Sequence, residues 1–169
     1  VFSGNYGDYA ISYDGASDTF TLVGPDGTDT VTGVETFRFD DGDQTVATVQ
    51  SGADQTLVGD GNANVISGGT GDDTITGAGG DDTIDGTSSS DLIATFNGTD
   101  TVNPSAGNDK ILGGAGVDTL NGGDGDDHIY GYAGADTLNG NAGDDLIYGG
   151  KDDDTIDGDA GDDSLYGEA

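Results

Sequence analysis

A nine-residue pattern repeats twelve times, without insertion or deletion, between Gly59 and Tyr166. Its cleanest copy, from Gly68 to Thr76, reads GGTGDDTIT, so the pattern is G-G-x-G-x-D-x-U-x, where U is a large aliphatic residue. A period this strict indicates that each copy is one structural unit, which buries its apolar side by stacking on the copies before and after it. The pattern therefore predicts a solenoid.

The eighth position of the pattern supplies the candidate core. It is aliphatic in every repeat: Ile66, Ile75, Ile84, Ile93, Val102, Ile111, Leu120, Ile129, Leu138, Ile147, Ile156 and Leu165. Side chains alternate along a strand, so a strand centred on this position points it inward and its two neighbours outward. We expect three-residue strands, a core formed by position eight alone, and almost no helix.

The sixth position supplies the candidate metal ligands. It holds Asn64, Asp73, Asp82, Asp91, Asp100, Asp109, Asp118, Asp127, Asp136, Asp145, Asp154 and Asp163. The glycines at positions one, two and four allow left-handed backbone, so each loop can turn its carbonyl groups inward. Carboxylate and carbonyl oxygens are the ligands that Ca²⁺ prefers, and Mg²⁺ fits such a carbonyl-rich site less well.

Charge excludes several classes of partner. The chain has 34 acidic and 3 basic side chains, a formal charge of −31. Such a chain repels the phosphates of nucleic acids and of anionic membrane surfaces. No apolar run reaches the ~18 residues of a membrane span, and no cysteine is present for a disulfide or a thiolate metal site. Cations are the expected partners, and a monomer with no membrane insertion is expected.

These repeats resemble the RTX (repeats in toxin), hemolysin-type calcium-binding nonapeptides of bacterial type I secreted proteins, over about two-thirds of the chain. The resemblance implies an all-β, right-handed parallel β-roll, the RTX β-solenoid. Two nonapeptides make one turn, each gives a six-residue loop and a short strand, and calcium lies between loops stacked on the same edge. With six loops on each edge, ten Ca²⁺ is the ceiling, which would change the formal charge to −11.

Several loops depart from the pattern. Residues 86–91 lack two of the glycines, 95–100 begin with Thr and Phe, and 104–109 begin with Pro. We expect weaker or missing calcium sites near Asp91, Asp100 and Asp109, and the best binding over residues 113–166. Asn64 is neutral and Asp152 replaces a glycine, so these two loops are also expected to bind less well.

The chain before the repeats reads differently. Alternating apolar residues, and turns at Asp14–Gly15, at 25–27 and at Asp41–Gly42, predict a small antiparallel β-meander over residues 1–49. Its expected role is to cap the first coil, with a separate binding function as the alternative. Residues 50–58 are interpreted as a degenerate first coil and 59–169 as the roll.

Nothing in the sequence forms a catalytic motif. The single histidine, His128, falls at an outward strand position, and neither a zinc-binding helix nor a nucleophile elbow is present. We therefore expect no enzymatic activity in this chain. The start without Met and the end within the repeat pattern favour a piece of a longer protein.

The two outer faces of the predicted roll differ. One carries Thr83, Thr101, Thr119, Thr137 and Thr155 beside Asp85, Asn103, Asn121, Asn139 and Asp157, an array that resembles ice-binding solenoids. The other carries Leu92, Leu112, Tyr130, Leu146, Tyr148 and Tyr166, and the Tyr130/Tyr148/Tyr166 stripe is a candidate protein or surface contact.

The favoured function is a calcium-binding RTX module of a secreted, extracellular or cell-surface bacterial protein. The resemblance implies that it folds on extracellular Ca²⁺ and supports secretion, folding and stability of that larger protein. One alternative is an adhesive or ice-binding module that uses the Thr/Asx face. Another is the C-terminal portion of a secreted exoenzyme, a protease, lipase or epimerase, whose catalytic domain lies outside this chain.

Overall fold

The computed structural model describes residues 54–59 and 61–167 with their side chains, and the backbone of strands at 10–14, 19–24, 27–32 and 44–45. Every element in these ranges is a strand. The part of the chain described here contains no helix of the length and apolar character that a membrane span requires.

Three strands near the start form a small antiparallel sheet. They are β1 (Ala10–Asp14), β2 (Thr19–Gly24) and β3 (Gly27–Thr32), and β2 lies between the other two. The antiparallel pairing expected for this region is confirmed for these three strands. The strand expected around Val34 to Phe39 and the turn at Asp41–Gly42 lie outside the described residues, and the capping role stays a prediction.

The other fourteen strands alternate between two parallel sheets of seven strands each. The even sheet contains β4 (Gln44–Thr45), β6 (Asn64–Thr70), β8 (Thr83–Ser88), β10 (Thr101–Val102), β12 (Thr119–Asp124), β14 (Thr137–Ala142) and β16 (Thr155–Asp157). The odd sheet contains β5 (Thr56–Val58), β7 (Thr74–Gly79), β9 (Leu92–Asn97), β11 (Lys110–Ala115), β13 (His128–Ala133), β15 (Leu146–Lys151) and β17 (Ser164–Tyr166).

Equivalent positions of alternate repeats lie side by side within each sheet. Ile111 pairs with Ile129, and Leu120 pairs with Leu138, in both cases 18 residues apart. Two nonapeptides therefore make one turn, and the roll contains about six stacked turns. The predicted all-β parallel roll is confirmed. Because β4 pairs with β6, the even sheet also takes a strand from the segment before residue 50.

One column of aliphatic side chains fills the interior. Leu57 and ten position-eight residues, from Ile66 to Ile147, are at most 1 % exposed. Ile156 is only partly buried, and Leu165 in the last described coil is 45 % exposed. The core assignment of position eight is confirmed for these stacked coils.

The strands are longer than predicted. Most contain six residues, because pairing resumes after position one and continues through positions two and three of the next repeat, as at Gly114 and Ala115 of β11. Position one is buried as well, with Gly113 and Gly131 as examples. The expectation of three-residue strands is therefore wrong. The hydrophobic core of the described coils still consists only of position-eight residues and Leu57, which holds the same phase, so that expectation is confirmed. A left-handed residue at position two, such as Gly114 at φ 116°, bends the chain without ending the ladder.

Candidate metal centre

The position-six side chains form two stacks, one along each edge of the roll. We call the loops that lead into odd-sheet strands the odd edge and those that lead into even-sheet strands the even edge. Asn64 and nine aspartates, from Asp73 to Asp145, are at most 5 % exposed, and Asp154 and Asp163 are half-buried. Carboxylates are rarely buried to this extent unless a partner compensates for lost hydration.

One carboxylate oxygen of each aspartate is used by the backbone. The N–H of Asp109 donates to Oδ1 of Asp127 at 2.7 Å, and the N–H of Asp127 donates to Oδ1 of Asp145 at 2.8 Å. Eleven such bonds, 2.7 to 3.0 Å long, join residues 18 apart from Gln55 to Asp163. The aspartates therefore fix the register between successive coils.

The second oxygen of most of these carboxylates makes no hydrogen bond. Oδ2 is buried and makes no hydrogen bond in ten aspartates: Asp73, Asp82, Asp91, Asp100, Asp109, Asp118, Asp127, Asp136, Asp145 and Asp154. An unsatisfied buried oxygen is costly, and ten in register are not an accident of packing. These atoms are where a cation would be needed.

Position one explains why the space beside Oδ2 stays open. A Cβ placed on Gly131 would lie 2.5 Å from Oδ2 of Asp136 and 2.5 Å from the carbonyl oxygen of Gly149 in the next coil. At Gly113 the corresponding distances are 2.8 Å to Asp118 Oδ2 and 3.0 Å to the Gly131 oxygen. The absence of a side chain on this glycine thus leaves a small space, which a carboxylate oxygen and a carbonyl oxygen both border.

Electrostatics make the metal-free stacks unfavourable. Burial, with a smaller contribution from the neighbouring stacked carboxylates, raises the pKa of Asp91 and Asp127 to about 7 and that of Asp118 to about 6. Burial also raises the pKa of Asp73, Asp100, Asp109, Asp136 and Asp145. A bound cation would offset both effects, because it supplies the positive charge that stabilises ionised carboxylates.

The donor set fits calcium. Within residues 54–59 and 61–167, no three Asp, Glu or His side chains gather around one point. A cation between coils would therefore take few carboxylates and complete its shell with backbone carbonyl oxygens, the hard-oxygen set suited to Ca²⁺. The structure brings the twelve predicted residues together as stacked neighbours, with the neutral Asn64 at the start of the even edge. Their role as ligands stays a prediction.

A second ladder distinguishes the two edges. On the odd edge, exposed position-five side chains accept hydrogen bonds from the backbone one coil later, beginning with Asp72 N–H to Asp54 Oδ1 at 3.1 Å. Six such bonds run from Asp54 to Asp162. On the even edge, position five holds residues that cannot accept such a bond at Ala63, Val117 and Ala135. Among the described residues of this edge, only the N–H of Thr99 donates to the position-five side chain one coil earlier, Asp81 Oδ1. An 18-residue polar period in the sequence could have revealed this ladder.

The irregular middle loops keep the aspartate stacks but alter the space beside them. Thr95, at position one, donates its hydroxyl to the Gly113 carbonyl oxygen at 2.5 Å and opposes the rise in the pKa of Asp100. Beside Asp91, a Cβ on Gly86 would meet Pro104 Cβ at 3.2 Å, whereas a Cβ on Gly113 or Gly131 would meet a carbonyl oxygen of the next coil at this point. The Thr95 hydroxyl thus occupies an oxygen that a cation could use, and the Pro104 ring narrows the space beside Asp91.

Comparison with known proteins agrees with this geometry. The family model of the RTX calcium-binding nonapeptide repeat matches residues 51–84, 58–93, 76–111, 112–147 and 139–169, which together cover 51–169 without a gap. A search of curated proteins finds no match.

Proposed function

Because the chain belongs to the family of RTX calcium-binding nonapeptide repeats, we propose that it is a module that folds on binding extracellular Ca²⁺ and thereby supports the secretion, folding and stability of a larger secreted bacterial protein. The observation that carries the proposal is the set of ten buried Oδ2 atoms that make no hydrogen bond. Each belongs to a carboxylate whose Oδ1 already holds two coils in register.

Folding and calcium binding are coupled through these carboxylates. The folded roll requires the aspartates to be buried, and burial disfavours their charged form, so the metal-free roll is destabilised at neutral pH. A cation that binds only the folded chain contributes its binding free energy to folding. Extracellular calcium modules bind at roughly 10⁻⁴ to 10⁻³ M, so the chain stays unfolded in a low-calcium cytosol.

This coupling suits export through a type I system, the setting typical of the family. An unfolded chain passes through a narrow channel, and it folds when it meets millimolar calcium outside. The roll itself is a structural, calcium-binding unit, and any catalytic activity of the parent protein would belong to other segments.

Secretion of a reporter fused to the chain tests the proposal. A variant carrying Asp118→Asn, Asp127→Asn and Asp136→Asn loses three Oδ2 atoms at the stacks, whereas Asp124→Asn, Asp126→Asn and Asp144→Asn remove the same charge from exposed positions. We expect the first variant to yield less folded, protease-resistant reporter outside the cell, and the control to match the parent chain. Equal yields from both variants and the parent would contradict the proposed role.

A second candidate function rests on the even sheet. Thr83, Thr101, Thr119, Thr137 and Thr155 lie in register on adjacent strands. Asn139 donates to Asn121 Oδ1 at 2.8 Å, and Asn121 donates to Asn103 Oδ1 at 2.5 Å, so the neighbouring column is also ordered. A regular polar array of this kind could bind ice or another repetitive surface. Loss of ice shaping on changing Thr119 and Thr137 to Tyr would support it, and no ice shaping by the calcium-loaded parent chain would exclude it.

A further inference from the structure

The odd sheet is free of acidic residues. Its seven strands contain no Asp or Glu, although the chain has 34 of them, whereas the even sheet includes Asp85, Asp124 and Asp157. Both lysines of residues 54–167, Lys110 and Lys151, and the single histidine lie on odd-sheet strands and are exposed. This face therefore differs in charge from the rest of the molecule.

The same face holds every aromatic side chain between residues 54 and 167: Phe96, Tyr130, Tyr132, Tyr148 and Tyr166. Tyr130 stacks on Tyr148 at 5.2 Å between ring centroids, and Tyr148 stacks on Tyr166 at 4.7 Å. The ammonium group of Lys110 lies 5.9 Å from the Tyr130 ring, within cation–π range. Phe96 and Tyr132 remain 53 % and 52 % exposed.

Two clefts cross this aromatic surface. In register on β9, β11 and β13, Phe96 and Tyr132 flank Gly114, which forms the floor of a cleft of about 330 Å³ together with Ala94 and Leu112. One strand farther on, Gly150 pairs with Tyr132 and forms the floor of a second cleft of about 300 Å³, which Tyr148 and Lys151 also line. Aromatic walls thus alternate with glycine floors along the sheet.

The spacing of the walls selects the shape of a guest. The backbones at Phe96 and Tyr132 are two strands apart, about 9.6 Å. For rings that stand upright over these strands, a guest in contact with both at 3.5–4.0 Å has roughly 2 Å between its two contacting layers of atoms. A flat ring is too thin to touch both walls, whereas a puckered sugar ring has this thickness. The two clefts in a row suit a polymer.

We propose that the odd face of the folded roll binds an uncharged polysaccharide, with pyranose rings seated against Phe96, Tyr132 and Tyr148. The apolar faces of the sugar pack on the aromatic rings, and its hydroxyl groups accept hydrogen bonds from Lys151 and the tyrosine hydroxyls. A neutral polymer meets no carboxylate that would have to lose its water. An anionic polymer would instead approach a chain of formal charge −31.

The inference goes beyond the proposed function and requires only that the roll is folded. Its test is calorimetric titration of the calcium-saturated full chain with cellohexaose, mannohexaose and laminarihexaose, with polygalacturonate as an anionic comparator. We expect at least one neutral hexasaccharide to bind. Tyr132→Ala and Phe96→Ala should each weaken that binding by about tenfold, while Thr119→Ala on the even sheet leaves it unchanged.

Three results would overturn the inference. The first is no binding of any neutral hexasaccharide to the folded chain. The second is tighter, salt-sensitive binding of polygalacturonate, which would assign the face to anionic polymers. The third is a calcium-loaded dimer in sedimentation that Tyr132→Ala or Phe96→Ala converts to monomer, which would make the face a contact between copies. Circular dichroism of each variant confirms that it is folded before its binding is compared.

Discussion

The backbone N–H of Asp109 donates a 2.7 Å hydrogen bond to Oδ1 of Asp127, while Oδ2 of the same carboxylate is buried without a partner. The two oxygens of Asp127 therefore serve different purposes. Oδ1 sets the register between coils, and Oδ2 is free for a cation. This division makes it possible to separate the structural role of the carboxylate from its role in binding.

Asp127→Asn tests that separation. The amide retains an oxygen for the Asp109 N–H but loses the negative Oδ2, so we expect calcium affinity at this site to fall by about tenfold or more. Asp126→Asn is the matched control, because it removes the same charge from the exposed neighbour and keeps the oxygen that accepts the Asp144 N–H. Calcium binding measured by calorimetry should change only for Asp127→Asn. An equal loss in both variants would attribute the effect to net charge.

The stability of the metal-free chain should depend on pH. In the folded chain, burial raises the pKa of Asp91 and Asp127 to about 7, from an ordinary value of 3.8. Between these values the folded state binds more protons than the unfolded state, so stability is present at low pH and is lost as pH rises toward 7. We expect chelated protein to show more β structure by circular dichroism at pH 5 than at pH 8.

Calcium should reverse that dependence. Protons compete with Ca²⁺ for the same carboxylates, so the calcium concentration at the folding midpoint should rise as pH falls below about 7. Titrations at pH 6 and pH 8 compare the two conditions directly. A midpoint that does not move with pH would argue against ionised position-six aspartates as ligands.

Position two offers a stabilising substitution. Ala78 has a φ of 84°, and a non-glycine residue in the left-handed region costs about 1–2 kcal/mol. We expect Ala78→Gly to raise the free energy of unfolding of the calcium-loaded roll by about 1 kcal/mol in denaturant titrations. Ala133→Gly, at a position without positive φ, should instead lower it by about 0.5–1 kcal/mol. The account fails here if both substitutions destabilise the roll equally.

Thr95 offers a way to restore a calcium site. Its hydroxyl bonds to the Gly113 carbonyl oxygen and its side chain occupies the space that glycine leaves open beside Asp100 in regular loops. Thr95→Gly should increase calcium bound near Asp100, by up to one ion per chain in equilibrium dialysis. Thr76→Gly removes a threonine from a strand position away from the stacks and should leave the ion count unchanged. An unchanged count for both would mean that Thr95 does not limit the site.

The sequence predicted the stack of coils because position eight and position six recur with a fixed period, and Ile111 and Asp109 illustrate both columns. It could not predict the length of the strands, because pairing through position two depends on residues such as Phe96 adopting a left-handed φ of 74° that their type disfavours. For the same reason the sequence placed Phe96 in a loop, whereas Phe96 joins Tyr132 on the aromatic face of the odd sheet. Nor does residue type reveal which oxygen of Asp127 is left unpaired.

The most direct measurement is far-UV circular dichroism of chelated protein at pH 7.5 during titration with CaCl₂, with MgCl₂ in a parallel titration. The account predicts a cooperative gain of β signal with calcium at roughly 10⁻⁴ to 10⁻³ M and no comparable gain with magnesium at the same concentrations. A full β signal before any calcium is added would contradict it, because the buried aspartates would then be satisfied without a metal ion.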